Sequence, residues 1–219
     1  MNQLSSNYYM TNLYQRLSPD VRGHCMRVSL ITGLIAERLL QQHCAIPQRF
    51  GAETDDDIIG FAREAGSYHD IGKISVPAQL LKKQGPLTPA ELAEIRRHTV
   101  YAEALMLPCI RELSLADQPY YRAILEVCVS HHERWDGRGY PGGRAGEEIP
   151  FFARVCAVAD SFDAMVSKRN YSHAKTPAAA AEEIRLCSGT QFDPQAAAAF
   201  AAVLPQVIEL LNDKGYRMP

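Results

Sequence analysis

The chain lacks the cysteine patterns of metal-stapled and disulfide-stapled proteins. Its six cysteines lie scattered from Cys25 to Cys187, with no Cys-x-x-Cys pair, which argues against a zinc finger and against a disulfide scaffold. No apolar run approaches the length of a membrane span, and residues 1–20 lack the charged and apolar zones of a signal peptide. We therefore expect a cytoplasmic protein with no membrane segment.

The chain also lacks a large excess of positive or negative charge. The formal net charge is only -2 over 219 residues, so no global field draws the protein to nucleic-acid polymers or to an anionic membrane. An anionic substrate would have to be held locally, by metal ions and a few arginines and lysines.

Neither β alternation, nor an internal repeat, nor a linker between two domains is visible. The apolar periodicity is helical almost throughout and predicts one all-α domain of about seven main helices. Ser18 and Thr88 are expected N-caps, and the helix that begins after Thr88 is expected to carry His98. We expect the last helix to be bent or broken at Pro205, and a glycine-rich loop from Gly137 to Gly146 to have no regular structure.

Histidine and aspartate supply the chemistry of this chain. The chain has seven histidines, and five of them, with two aspartates, stand where they could bind metal. Imidazole and carboxylate together suit iron, manganese or zinc, and this number of ligands exceeds the need of one ion. The sequence therefore predicts a two-metal site for a phosphoester. The candidate ligands are His24, His69, Asp70, His98, His131, His132 and Asp160.

Simpler interpretations exist for single members of this set. His24 taken alone is more often a histidine at the edge of the core, and His98 follows two arginines, as a solvated residue would. Asp160 is harder to dismiss, because a carboxylate among apolar neighbours must be paired or coordinated.

Three segments together carry a family resemblance. They are His69-Asp70 with Lys73; His131-His132-Glu133 running into Gly137-Arg138-Gly139-Tyr140-Pro141; and the run from Val158 to Met165. The chain resembles the HD-GYP family, metal-dependent phosphodiesterases of cyclic di-GMP in the HD superfamily. It departs from the usual Arg-Pro-Tyr run at Arg169-Asn170-Tyr171. The resemblance implies an N-terminal extension over 1–17 and an HD-GYP domain over 18–219.

The resemblance also implies how the ligands divide between two ions, iron or manganese. Asp70 is expected to bridge them, because a carboxylate has two oxygens. In phosphodiester hydrolysis, two ions about 3.5–4 Å apart bridge a hydroxide and clamp the phosphate. The implied reaction is attack of that hydroxide on cyclic di-GMP, giving linear pGpG and in a further step GMP. One ion is assigned to His24, His69 and Asp160 and the other to His98, His131 and His132.

Basic and aromatic residues are expected to hold the substrate. The resemblance gives Lys73 a phosphate contact, and it makes Lys73 and Asp70 the catalytic residues. Arg138 and Arg144 are candidates for bidentate contacts to guanine or phosphate, although a glycine-rich loop with two arginines is often only a solvated turn. Tyr140 is expected to order the loop or to help form a surface for GGDEF-type cyclase domains.

Asp20 raises the question of a third ion. It stands four residues before His24, so both side chains share one helix face. Some family members have a glutamate at the matching position and hold three metals. An acid in a first helical turn can instead serve only to offset the helix dipole.

Two alternatives to a cyclic di-GMP phosphodiesterase stay open. One is an HD phosphohydrolase of another cyclic dinucleotide. The other is a catalytically silent module that binds a nucleotide or a partner domain. A homodimer is an alternative to a monomer.

Overall fold

The fold is all-α, as the sequence predicts. The computed structural model describes residues 3–44, 46, 54–114, 117–167 and 174–216, with side chains from residue 9 onward, and contains no named strand in these ranges. Seven of the described helices have 13 residues or more, in agreement with the expected number. The helices are α1 (Gln3–Gln15), α2 (Pro19–Gln41), α3 (Asp55–Tyr68), α4 (Ala78–Leu81), α5 (Pro89–Arg96), α6 (His98–Arg111), α7 (Gln118–Ser130), α8 (Phe151–Val166), α9 (Pro177–Leu186) and α10 (Pro194–Asp213).

The expected helix starts are present. The hydroxyl of Ser18 accepts from the Val21 amide at the start of α2. At the start of α5, Thr88 and Glu91 form a complete capping box, in which each side chain bonds the other's backbone amide. These caps pair amides that the first helical turn leaves without partners.

The helix expected to run through His98 is divided, and this prediction was wrong. α5 ends at Arg96 and α6 begins at His98. The ring Nδ1 of His98 lies 2.8 Å from Ile95 O, and the Thr99 hydroxyl donates to Arg96 O. These side chains occupy carbonyls at the end of α5, so the imidazole turns inward at the start of a new helix.

α10 does not break at Pro205, which corrects that part of the prediction. The helix runs from Pro194 to Asp213 with the proline inside it. Pro205 and Ala201, whose carbonyl loses its helical donor, are both exposed. Water can therefore bond that carbonyl, which lowers the cost of the missing N–H.

One hydrophobic core joins most of the helices. α2 packs against α3, α8 and α10, and α6 packs against α7 and a short 3-10 helix, Ile71–Ser75. Met10, Leu13 and Leu17 are buried in the same core. The first 17 residues, expected to be an extension, thus include side chains that pack on the rest of the chain.

α10 is long and apolar enough to cross a membrane by length and composition, the one such helix among the residues described. Of its most apolar window, 39% is buried, and a core helix passes the same test. Ala199, Phe200 and Val207 lie fully buried in the core. The sequence also predicts a polar loop around Pro47 to Thr54, and residues 47–53 of it lie outside the described residues. The Arg169-Asn170-Tyr171 segment lies outside them too.

Candidate metal centre

The structure brings the seven candidate ligands together from five separate segments. His24 lies on α2, His98 begins α6 and Asp160 lies on α8. The two pairs His69-Asp70 and His131-His132 directly follow the ends of α3 and α7. A helix end gives each pair the freedom to direct both side chains to one place, which the interior of a helix does not allow.

Asp70 stands at the centre with one oxygen toward each group of histidines. Its Oδ2 lies 3.5 Å from His24 Nε2 and 3.4 Å from His69 Nε2. Its Oδ1 lies 3.4 Å from His98 Nε2 and 4.0 Å from His131 Nε2. The carboxylate is thus placed to contribute one oxygen to each of two cations.

Two sets of three ligands flank this carboxylate. In each set, ligand atoms lie within 4.8 Å of one another. His24 Nε2 and Asp160 Oδ1 are 3.1 Å apart in the first set. The first set is His24, His69 and Asp160, and the second is His98, His131 and His132. The division is the same as the one that the resemblance implies.

Hydrogen bonds at Nδ1 set the tautomer of four of these imidazoles. A carbonyl or carboxylate oxygen can only accept, so each Nδ1 carries the proton and donates it. In the neutral ring this leaves the lone pair on Nε2, which is the form that binds metal. The bonds run from His24 to Asp163 Oδ2 (2.7 Å), from His69 to Gly66 O (2.7 Å), from His98 to Ile95 O (2.8 Å) and from His131 to Cys128 O (2.9 Å).

The centre contains buried polar atoms that lack protein donors. His24 Nε2, His69 Nε2 and Asp70 Oδ1 are buried without a hydrogen-bond partner. His98 Nε2 and His131 Nε2 lie 3.3 Å apart, so two lone pairs face each other. Unpaired buried acceptors are costly. Divalent cations would satisfy all of them, so the residues present fit metal ions.

Burial sets the charge of the second histidine set. It lowers the pKa of His98 and, further, of His131, and lowers that of His132 to about 3. These imidazoles are therefore neutral at physiological pH, as metal binding requires. Burial opposes the ionisation of Asp70, but the neighbouring Lys73 ammonium outweighs it and holds the pKa of Asp70 well below its ordinary value.

Lys73 lies against the central carboxylate. Its Nζ is 2.5 Å from Asp70 Oδ2, and it sits on the 3-10 helix Ile71–Ser75. Gly72 permits this helix to contact the start of α6, because a Cβ there would lie 1.8 Å from His98 O. The approach of these two segments places Asp70, Lys73 and His98 side by side.

The glycine-rich loop is fixed to the second histidine set. The buried carboxylate of Glu133 accepts from the amides of Gly142 (2.6 Å) and Arg144 (3.1 Å). The Tyr140 ring stacks on His132 with 4.8 Å between centroids. Glu133 thus ties the loop to the segment that carries His131 and His132.

A cavity of about 220 Å³ opens beside this loop. His131 and His132 line it, together with Tyr140, Arg138 and Arg96. Arg96, which the sequence did not single out, lies with its guanidinium 5.0 Å from the centre of the Tyr140 ring. The basic residues make the cavity suitable for an anionic ligand.

Arg144 and Asp20 are not brought to this cavity. The Arg144 side chain lines a separate depression with Phe61, Phe151 and Phe152. Asp20 is exposed in the first turn of α2 and belongs to no group of clustered ligands in the described chain.

Asp163 is a supporting residue that the sequence reading missed. Its carboxylate accepts from His24 Nδ1 and, through both oxygens, from Arg27 at 2.5 and 2.9 Å. Asp163 is fully buried, one helical turn after Asp160. That spacing on an apolar helix was the available signal, because two acids on one face among apolar residues need partners.

Replacing Asp163 by asparagine is expected to lower metal affinity and turnover roughly 10- to 100-fold, the usual cost of losing a partner of a metal-binding histidine. The amide can no longer hold the His24 ring through a charged acceptor. Metal titration and steady-state kinetics measure the effect. Asp213→Asn, an exposed acid at the end of α10, is the control. Unchanged affinity in Asp163→Asn would contradict the assigned role.

Comparisons with known proteins find relatives over most of this chain. The HD domain family model matches residues 40–196. A cyclic di-GMP phosphodiesterase of Thermotoga maritima is 36% identical over 191 residues, which cover 87% of this chain and 46% of that protein. A 3'3'-cGAMP-specific phosphodiesterase 2 of Vibrio cholerae is 31% identical, over 86% of this chain and 32% of that protein. The chain thus spans less than half the length of these relatives.

A solved structure shares the fold. The HDG"Y"P protein Bd1817 of Bdellovibrio bacteriovorus superimposes with a TM-score of 0.61, over 84% of this chain and 52% of that one. The two sequences are 16% identical, so the similarity supports a shared fold and nothing further.

Proposed function

The chain belongs to the HD domain family, and from this premise we propose that it is a metal-dependent phosphodiesterase of cyclic di-GMP. The expected product is linear pGpG, which a second hydrolysis would convert to GMP. One observation carries the proposal. One oxygen of Asp70 lies near Nε2 of His24 and His69, and the other lies near Nε2 of His98 and His131.

The proposed metal ligands are the seven residues of the centre, with Asp70 shared. Iron or manganese is proposed, because five imidazoles and two carboxylates form a mixed nitrogen and oxygen site. When bound, divalent ions supply Lewis-acid activation of water and neutralise charge on the phosphate. The hydrogen bonds at Nδ1 fix the orientation of the four rings and direct each Nε2 toward the metal positions.

The substrate is proposed to bind on the side of the 220 Å³ cavity. Lys73 would contact a phosphate oxygen next to Asp70, and Arg138 and Arg96 would hold the second phosphate or a base. Tyr140 packs on His132 and would limit access of water to that side. Arg144, which faces the separate depression, would bind substrate only if the loop moved.

Metal content and turnover test the proposal in one sample. Protein purified without oxygen is expected to contain bound iron or manganese and to convert cyclic di-GMP to pGpG. Chelation should abolish turnover, and adding back either metal should restore it. A fully metallated sample that releases neither pGpG nor GMP would refute the enzyme and favour a silent nucleotide-binding or partner-binding module.

A second cyclic dinucleotide is a specific alternative, since one relative in Vibrio cholerae is named a 3'3'-cGAMP-specific phosphodiesterase. Parallel assays of cyclic di-GMP and 3'3'-cGAMP with the same metallated sample separate the two substrates. The higher kcat/KM identifies the preferred one.

Two ions, not three, are proposed. Asp20 is exposed at the positive end of α2, where its charge offsets the helix dipole. We expect a metal-to-protein ratio of two in the wild type and in Asp20→Ala, with equal activity. Elemental analysis measures the ratio, and a fall from three to two in the variant would assign Asp20 to a third ion.

The loop is also proposed as a contact surface. Pro141, Gly142 and Arg144 are exposed, so a GGDEF-type cyclase domain or a second copy of the chain could reach them. Sedimentation of the protein alone and mixed with a purified GGDEF domain tests both forms of assembly.

The cytoplasm is the proposed compartment, because all six cysteines are free.

A further inference from the structure

Gln191 lies in a turn that packs against the beginning of the glycine-rich loop. The Trp135 amide donates to Gln191 O at 3.1 Å, and the Asp136 amide donates to Thr190 O at 2.8 Å. These backbone bonds fix the turn beside the cavity that His131 and His132 line, and Gln191 is one of the residues lining that cavity.

Arg134 determines which end of the Gln191 amide is available. Arg134 Nη1 donates to Gln191 Oε1 at 3.0 Å. A guanidinium has no acceptor, so the bonded atom must be the amide oxygen. Arg134 is itself held by Asp136, at 3.0 and 2.8 Å. The Gln191 NH2 remains, and within the described part of the chain no acceptor bonds it.

An amide fixed in this way distinguishes purine bases. Guanine presents two acceptors, O6 and N7, on one edge, whereas adenine presents N7 beside the N6 donor. A glutamine that can rotate pairs with either base. With its oxygen held by Arg134, Gln191 presents its NH2 donors, which suits guanine and leaves the adenine N6 group facing a donor.

The size of the cavity is consistent with one base. Its volume of about 220 Å³ is below the roughly 300–1000 Å³ of pockets that enclose whole ligands. One part of a cyclic dinucleotide would enter, next to the second histidine set. The remainder would lie over the metal centre and the loop.

We propose that Gln191, oriented by Arg134, is a specificity-determining residue that donates its amide hydrogens to the acceptor edge of a guanine. This inference rests on the proposed function, since it concerns the base of the same substrate. It adds a preference for guanine over adenine at one nucleotide position.

Gln191→Met removes the donors and keeps the length of the side chain. Its kcat/KM for cyclic di-GMP is expected to fall roughly 10- to 100-fold, the cost of a lost base contact. Turnover of bis(p-nitrophenyl) phosphate, which has no base, should stay within about twofold. Gln195→Met is the matched control, because Gln195 is exposed on α10 and should not affect either substrate.

Binding measurements test the inference independently of enzyme activity. Affinities of metallated wild type and Gln191→Met for cyclic di-GMP and cyclic di-AMP are measured by calorimetry. The wild type could hydrolyse neither dinucleotide and still bind cyclic di-GMP more tightly than cyclic di-AMP. If Gln191→Met then lacks that preference, the proposed function fails and the inference stands. An unchanged preference, or an equal loss with bis(p-nitrophenyl) phosphate, would overturn the inference.

Discussion

Asp70→Ala is expected to abolish cyclic di-GMP hydrolysis and to remove bound metal. Losing a supporting partner of a metal ligand costs roughly 10- to 100-fold. Asp70 should cost more, because its two oxygens serve both histidine sets. Elemental analysis and product chromatography on the same sample measure the two losses together.

The fold should survive this substitution. Asp70 stands at the N-cap of the 3-10 helix Ile71–Ser75, but its side chain makes no capping hydrogen bond. Replacing it therefore leaves the helical hydrogen bonds intact. Asp70→Asn keeps the volume and serves as a second variant, and Asp56→Asn, an exposed acid in the first turn of α3, is the matched control. Full metal content in a folded Asp70→Ala protein, judged by circular dichroism, would refute the bridging role.

Lys73→Ala is expected to separate turnover from metal binding. The ammonium lies beside Asp70 Oδ2, where it can stabilise negative charge that grows on a phosphate oxygen. Removing one such electrostatic stabiliser commonly lowers kcat about 100- to 1000-fold. Bound metal should stay near the wild-type ratio, because Lys73 itself contributes no ligand.

Lys82→Ala controls for the loss of one positive charge. Lys82 is exposed and close in sequence, and its replacement should leave both measurements unchanged. If Lys73→Ala loses metal in proportion to activity, the ammonium acts by positioning Asp70 and not by contacting the phosphate.

Local signals in the sequence predicted the helices well. The caps at Ser18 and Thr88 depend on residues three positions apart, so the sequence alone contains the information. The candidate ligands could also be predicted from the sequence, because the motifs that carry His69-Asp70 and His131-His132 are specific. Their division between two sides of Asp70 followed from the resemblance and not from spacing.

Contacts between distant segments were not predictable in this way. The bond from His24 to Asp163 spans 139 residues and that from Arg134 to Gln191 spans 57. The break before His98 depends on two side chains bonding carbonyls of the preceding turn, which a periodic apolar pattern does not reveal. Arg144 faces another depression because Glu133 holds its backbone and leaves the side chain free to turn away.

The attachment of the loop through Glu133 has a thermodynamic consequence. Glu133 follows His132 directly, and its carboxylate holds Gly142 and Arg144. A molecule that shifted the loop on binding would therefore act through Glu133 on the affinity of the centre for metal ions. By linkage, the ions change the affinity of the loop for that molecule by the same factor. Metal binding at the centre would then change how tightly the exposed edge of the loop binds a partner.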